Sequence, residues 1–69
     1  MEQIQISLAA ARVNAKMTQE DVAKALKVSK TTVVNWENGK VKPSAATLFM
    51  LSDVYDIPVD NIFLPEEST

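Results

Sequence analysis

Seven side chains in this sequence carry positive charge, and all of them (Arg12, Lys16, Lys24, Lys27, Lys30, Lys40 and Lys42) lie between positions 12 and 42. Their chemistry is donation of charge and hydrogen bonds to an anion. The 69 residues have a net charge of −2, which by itself argues against a polyanionic partner. The distribution reverses that reading. Residues 1–42 add only Glu2, Glu20, Asp21 and Glu37, for a net +3, whereas residues 43–69 hold Asp53, Asp56, Asp60, Glu66 and Glu67 with no basic residue, for a net −5. There is no histidine and no cysteine, hence no imidazole base or ligand, no disulfide and no thiolate metal site. The carboxylates are scattered over predicted surfaces and assemble into no acid/base pair or metal cluster. Neither an enzyme nor a cofactor is expected.

The positive segment coincides with the run QEDVAKALKVSKTTVVNWEN, from Gln19 to Asn38. Val22, Leu26, Val28, Val33 and Trp36 face inward if one helix ends near Leu26 and the next begins after Ser29. Ala23 falls where two such helices come closest, and a larger residue there would push them apart. Thr18 with Asp21 three residues on is the capping-box arrangement, so the second helix starts there. Ser29 supplies the N-cap of a third helix about three turns long, and Asn38-Gly39 closes it. Two helices joined by a short turn in this way make a helix-turn-helix, which points to DNA. Trp36 could be mistaken for a base-stacking platform, but its place on the inward stripe assigns it to the core.

These residues also carry a family resemblance. TQEDVAKALKVSKTTVVNWENGK followed by KPS resembles the Cro/C1-type repressors, the xenobiotic-response-element family, over roughly Leu8 to Leu64. WENGK with Thr18-Gln19-Glu20 upstream is its most specific part. The departure is Lys27, where the family turn usually carries glycine; a lysine at positive φ costs about 1 kcal/mol there. The resemblance implies an all-α, compact five-helix lambda-repressor-like domain. It places Lys30, Thr31 and Asn35 at positions that meet base edges, with Val34 beside them. Lysine donates to guanine O6 or N7, asparagine bonds adenine bidentately, and threonine or valine touches a thymine methyl. Val34 can instead be a second-rank core residue, and Thr31 and Asn35 merely solvated. Lys40 and Lys42 follow the third helix, where the family chain runs along the phosphate backbone. Gln19, at a positive helix end, suits a phosphate or an edge base. Asn38 answers equally to a phosphate contact and to a C-cap. The resemblance also implies an ion pair between Arg12, on the inward stripe of the first helix, and Glu37, one turn beyond Val33.

The remainder of the chain holds the motif. Residues 1–6 alternate weakly and read as an N-terminal extension of extended backbone, residues 7–64 as the DNA-binding domain and residues 65–69 as a frayed tail. Ser7 caps a first helix with Leu8, Ala11, Arg12 and Ala15 on one face. Pro43-Ser44 opens a fourth helix with Leu48, Leu51, Ser52 and Tyr55 on one stripe, Asp56-Ile57-Pro58 breaks it, and residues 59–63 suffice for a short fifth helix. No strand of useful length is expected after residue 6. Met50 lies off the inward stripe, and with Phe63 and Leu64 it could form an apolar dimer patch. One such domain reads few base pairs, so a homodimer on half-sites roughly 34–36 Å apart is expected. No apolar run spans a bilayer and no leader pattern precedes the first helix, so a cytoplasmic protein without membrane or small-molecule partners is expected. Two functions follow: a sequence-specific transcriptional regulator, most simply a repressor, or a protein-interaction or antitoxin-like module on the same fold.

Overall fold

Four hydroxyl side chains determine where the helices begin. In a computed structural model, which describes residues 5–64, Ser7, Thr18, Ser29 and Ser44 accept the amides of Ala10, Asp21, Thr32 and Thr47 respectively, at 3.0–3.2 Å. Each satisfies a donor that the first turn of a helix leaves unpaired. The helices that follow are α1 (Leu8–Asn14), α2 (Gln19–Leu26), α3 (Lys30–Glu37) and α4 (Ala45–Tyr55). Thr18 and Asp21 form the full capping box, because the Asp21 carboxylate accepts the Thr18 amide at 2.9 Å.

The helix ends are less economical. Lys16, Lys27 and Asp56 take φ of 60°, 59° and 53°, and only Gly39, after α3, fills a positive-φ position with glycine. A side chain in that region costs about 1 kcal/mol. Lys27 is therefore strained as its departure from the family pattern implied. The strain closes α2 tightly, with the Val28 amide donating to the Ala23 carbonyl at 2.9 Å.

One core joins the elements. Leu8 and Ala11 from α1, Val22, Ala23 and Leu26 from α2, Val33 and Trp36 from α3, and Leu51 and Tyr55 from α4 are buried together with Ile62. The largest helix–helix contact is between α2 and α3, and the small side chain of Ala23 is enclosed in the core. Val28 and Leu48 pack against this cluster from its edge.

Three expectations need correction. The third helix has eight residues, a little over two turns rather than three, since about 3.6 residues make a turn; Asn38 and Gly39 end it before a third turn closes. The fifth helix is absent: Val59–Asn61 is one 3-10 turn, closed by the Asn61 amide on the Pro58 carbonyl at 2.9 Å. Three residues between a proline and an extended isoleucine leave no room for an i to i+4 ladder. Where that helix was expected to finish, Ile62–Phe63 forms strand β2, parallel to strand β1 (Ile6–Ser7), with Ile6 opposite Ile62 and Ser7 opposite Phe63. Two residues are too few to show an alternating pattern, and the pairing buries Ile62 in the core. The fold remains mostly helical. The expected frayed tail and the first four residues of the extension lie outside the described residues.

Candidate nucleic-acid interface

Burial of Val33 and Trp36 fixes the rotation of α3, and that rotation determines which side chains it offers outward. Lys30 and Thr31 are exposed, and Val34 and Asn35, one turn on, are half-covered. The pairs 30/34 and 31/35 stand at i, i+4 spacing, so the four form one face. Val34 is half-covered and sits one turn beyond exposed Lys30. The part of it left uncovered lies on this face.

At the edge of the face, one helical repeat from Lys30, Glu37 forms a charged junction. The Arg12 Nε donates to Glu37 Oε2 at 2.7 Å and its Nη2 approaches Oε1 at 3.4 Å. Both side chains are largely enclosed, at 16% and 9% exposed. Arg12 Nη1 also donates to the Met17 carbonyl at 3.0 Å, which fixes the link between α1 and α2. The Gln19 side-chain amide donates to Glu37 Oε1 at 2.9 Å. One carboxylate thus gathers α1, α2 and α3, and no buried polar side-chain atom among the described residues lacks a partner.

Tyr55, buried near this junction, holds its proton more tightly than a free phenol. Burial, reinforced by the nearby Glu37 charge and opposed by Arg12, pushes the phenol up from 10.0 to about 12. The folded chain then holds a proton that the unfolded chain releases. The associated stability is complete below about pH 10 and is lost as pH rises through the folded value. Between about pH 9 and about pH 11.5, the denaturation midpoint of Tyr55→Phe should fall less steeply than that of the parent, because the lysines are common to both. Parallel curves would contradict the assignment.

The remaining candidates occupy varied settings. The Gln19 side chain is committed to Glu37, so the part of it free for DNA is its carbonyl oxygen and a second amide proton. Its backbone amide sits at the start of α2 beside the capping box. Hydrogen bonds from the Thr18 amide and hydroxyl hold the Asp21 carboxyl below the usual carboxylate range. Asn38 is the C-cap residue of α3, and its side-chain oxygen accepts the Lys40 amide at 3.0 Å. The Val41 amide donates to the Asn35 carbonyl at 3.2 Å, which folds exposed Lys40 and Lys42 back beside the end of α3. Met50 and Phe63 are 48% and 50% exposed. Leu64 instead packs against the core and lines a cleft with Trp36, Gly39, Val41 and Pro43.

Sequence reasoning missed two contacts at this surface. Exposed Glu20 reaches Lys30 at 3.8 Å, and Gln19 reaches Glu37. Both depend on how α2 and α3 pack, and neither has a local spacing that announces it. The Glu20 pair is too solvated to add much stability. It does hold a carboxylate beside the first side chain of the face.

A family model described as helix-turn-helix matches residues 8–62. An uncharacterized HTH-type transcriptional regulator of Methanocaldococcus jannaschii is 37% identical over 51 residues, covering 74% of this chain and 77% of its own. The transcriptional regulator DicA of Escherichia coli is 49% identical over 43 residues, covering 62% of this chain, which spans only 32% of DicA. The transcriptional activator BcrR of Enterococcus faecalis is 34% identical over 56 residues, covering 81% of this chain and 28% of BcrR.

Proposed function

Since the chain belongs to the Cro/C1-type helix-turn-helix family, a family of DNA-binding regulators, we propose that it is a sequence-specific reader of double-stranded DNA that controls transcription by binding and not by catalysis. Its reading unit is residues 7–64, with Ile6 of the preceding extension paired to it. The observation that carries this reading is the single face of α3 formed by Lys30, Thr31, Val34 and Asn35, on a helix tied to α1 by the Arg12–Glu37 ion pair. A rigid helix with donors and a β-branched methyl surface on one side has the chemistry the major groove asks for. The Gln19 amide, Asn38, Lys40 and Lys42 flank that face and serve phosphates, which supplies affinity and salt dependence without sequence information.

The protein acts in the cytoplasm as a homodimer on a two-fold symmetric operator, most simply as a repressor that occludes a promoter. Exposed Met50 and Phe63 support the dimer; Met50→Glu should make the protein sediment as a monomer with and without DNA. No helix among the described residues is long and apolar enough to cross a membrane. The alternative, a protein-interaction or antitoxin-like module, draws support from the acidic second half of the chain.

Selection from a pool of randomised duplexes tests the proposal, run at near-physiological salt on the parent and on Thr31→Ala/Asn35→Ala. The parent should enrich a two-fold symmetric site. The variant should lose roughly 1–3 kcal/mol of discrimination for each missing base contact. Absence of any enriched sequence at any salt would move the assignment to the protein-interaction alternative.

A further inference from the structure

The acidic half of the chain has a shaped surface that DNA reading does not use. At the C-terminal end of α4 an open groove of about 360 Å³ is lined by Phe49, Ser52, Asp53, Asp56, Ile57 and Pro58. Phe49 is 66% exposed, the most open of the large apolar side chains among the described residues. The floor is rigid. The Ser52 hydroxyl donates to the Ile57 carbonyl at 2.5 Å, the Ile57 amide donates to the Ser52 carbonyl at 3.1 Å, and the Asp56 amide to the Asp53 carbonyl at 3.3 Å. The groove is therefore present before any partner arrives.

Its electrostatics define the partner. A helix C-terminus carries partial negative charge and favours lysine or arginine in its last turn. The last turn of α4 has no basic residue; it carries the exposed carboxylate of Asp53, and exposed Asp56 follows at the C-cap. No basic residue lines the groove, and residues 43–69 contain none. This arrangement disfavours the free protein and repels phosphate; a cation in the groove would relieve it. We propose that the groove binds a cationic segment of a protein partner, in which lysine or arginine flanks one apolar side chain. The apolar side chain rests against Phe49, Ile57 and Pro58 while the cations meet Asp53, Asp56 and the last carbonyls of α4. The groove is separate from the α3 face, so failure of the DNA selection above would leave this assignment standing.

The test is a nuclear magnetic resonance titration of the isotope-labelled full chain with three capped peptides: Gly-Arg-Leu-Arg-Gly, Gly-Arg-Ser-Arg-Gly and Gly-Glu-Leu-Glu-Gly. The first should shift the amides of Phe49, Ser52, Asp53, Asp56 and Ile57, the second should bind more weakly there, and the third should not bind. Asp53→Asn/Asp56→Asn should weaken the first peptide about tenfold. The same variant should unfold at an equal or higher temperature than the parent, since it removes charge from a negative helix end and asparagine tolerates the left-handed position of Asp56. Shifts that map outside the groove, or that persist unchanged in the double variant, would overturn the proposal. So would groove shifts that depend on protein concentration without peptide and extend to Lys40, Val41 and Lys42, which would assign the groove to a second copy of this chain.

Discussion

Arg12→Met should destabilise the domain by about 3–5 kcal/mol, the cost of leaving an enclosed charge without its counter-ion. Glu37 is 9% exposed and takes two approaches from the guanidinium. Without Arg12 it keeps only the neutral Gln19 amide. The loss of the bond to the Met17 carbonyl adds to the damage by loosening the link between α1 and α2. In a domain this small, that energy corresponds to a fall of at least about 12 °C in the thermal midpoint. The cause is separable by a second substitution: Arg12→Met/Glu37→Met removes both charges and should recover much of the loss. If the double variant is no more stable than Arg12→Met, or if Glu37→Gln leaves the midpoint unchanged, the ion pair does not have the role assigned to it.

The second large effect is expected at Trp36. It is 7% exposed and forms part of the wall against which the chain leaving α3 turns, beside Gly39, Val41 and Pro43. Trp36→Ala should cost about 3–5 kcal/mol through lost burial and an unfilled cavity. The segment carrying Lys40 and Lys42 would lose its backing at the same time, so affinity for any duplex should fall along with stability. Urea unfolding followed by circular dichroism checks the first part, since the variant has no tryptophan left to report. Had Trp36 been a stacking platform, the variant would keep its stability and lose single-strand binding instead.

What the sequence revealed follows the range of the interactions. Ser7, Thr18, Ser29 and Ser44 each bond an amide three residues away, so every helix start was visible in local spacing. The inward stripe was visible for the same reason: positions 22, 26, 33 and 36 follow the helical period and all four are buried. The ladder between Ile6 and Ile62 joins residues near opposite ends of the chain, and two-residue strands carry no pattern of their own. Residues 59–63 were accordingly expected to form a helix. Phe49 was overlooked because assigning one stripe of α4 to the core leaves its other positions to solvent by default, and only the turn at Asp56 to Pro58 shows that a groove forms beside it. At the candidate interface, the residue types on α3 were legible, whereas the commitment of Gln19 to Glu37 had to await the packing of α2 on α3.

The same short ladder has a bearing on ancestry. By setting Ile6 beside Ile62, it brings the two ends of the described chain to one place on the fold, with every helix lying between them. Such a unit can be spliced into a longer polypeptide at either end without rerouting α3. Relatives of very different length, among them one of which this chain spans only 28%, match this compact unit over much of its length.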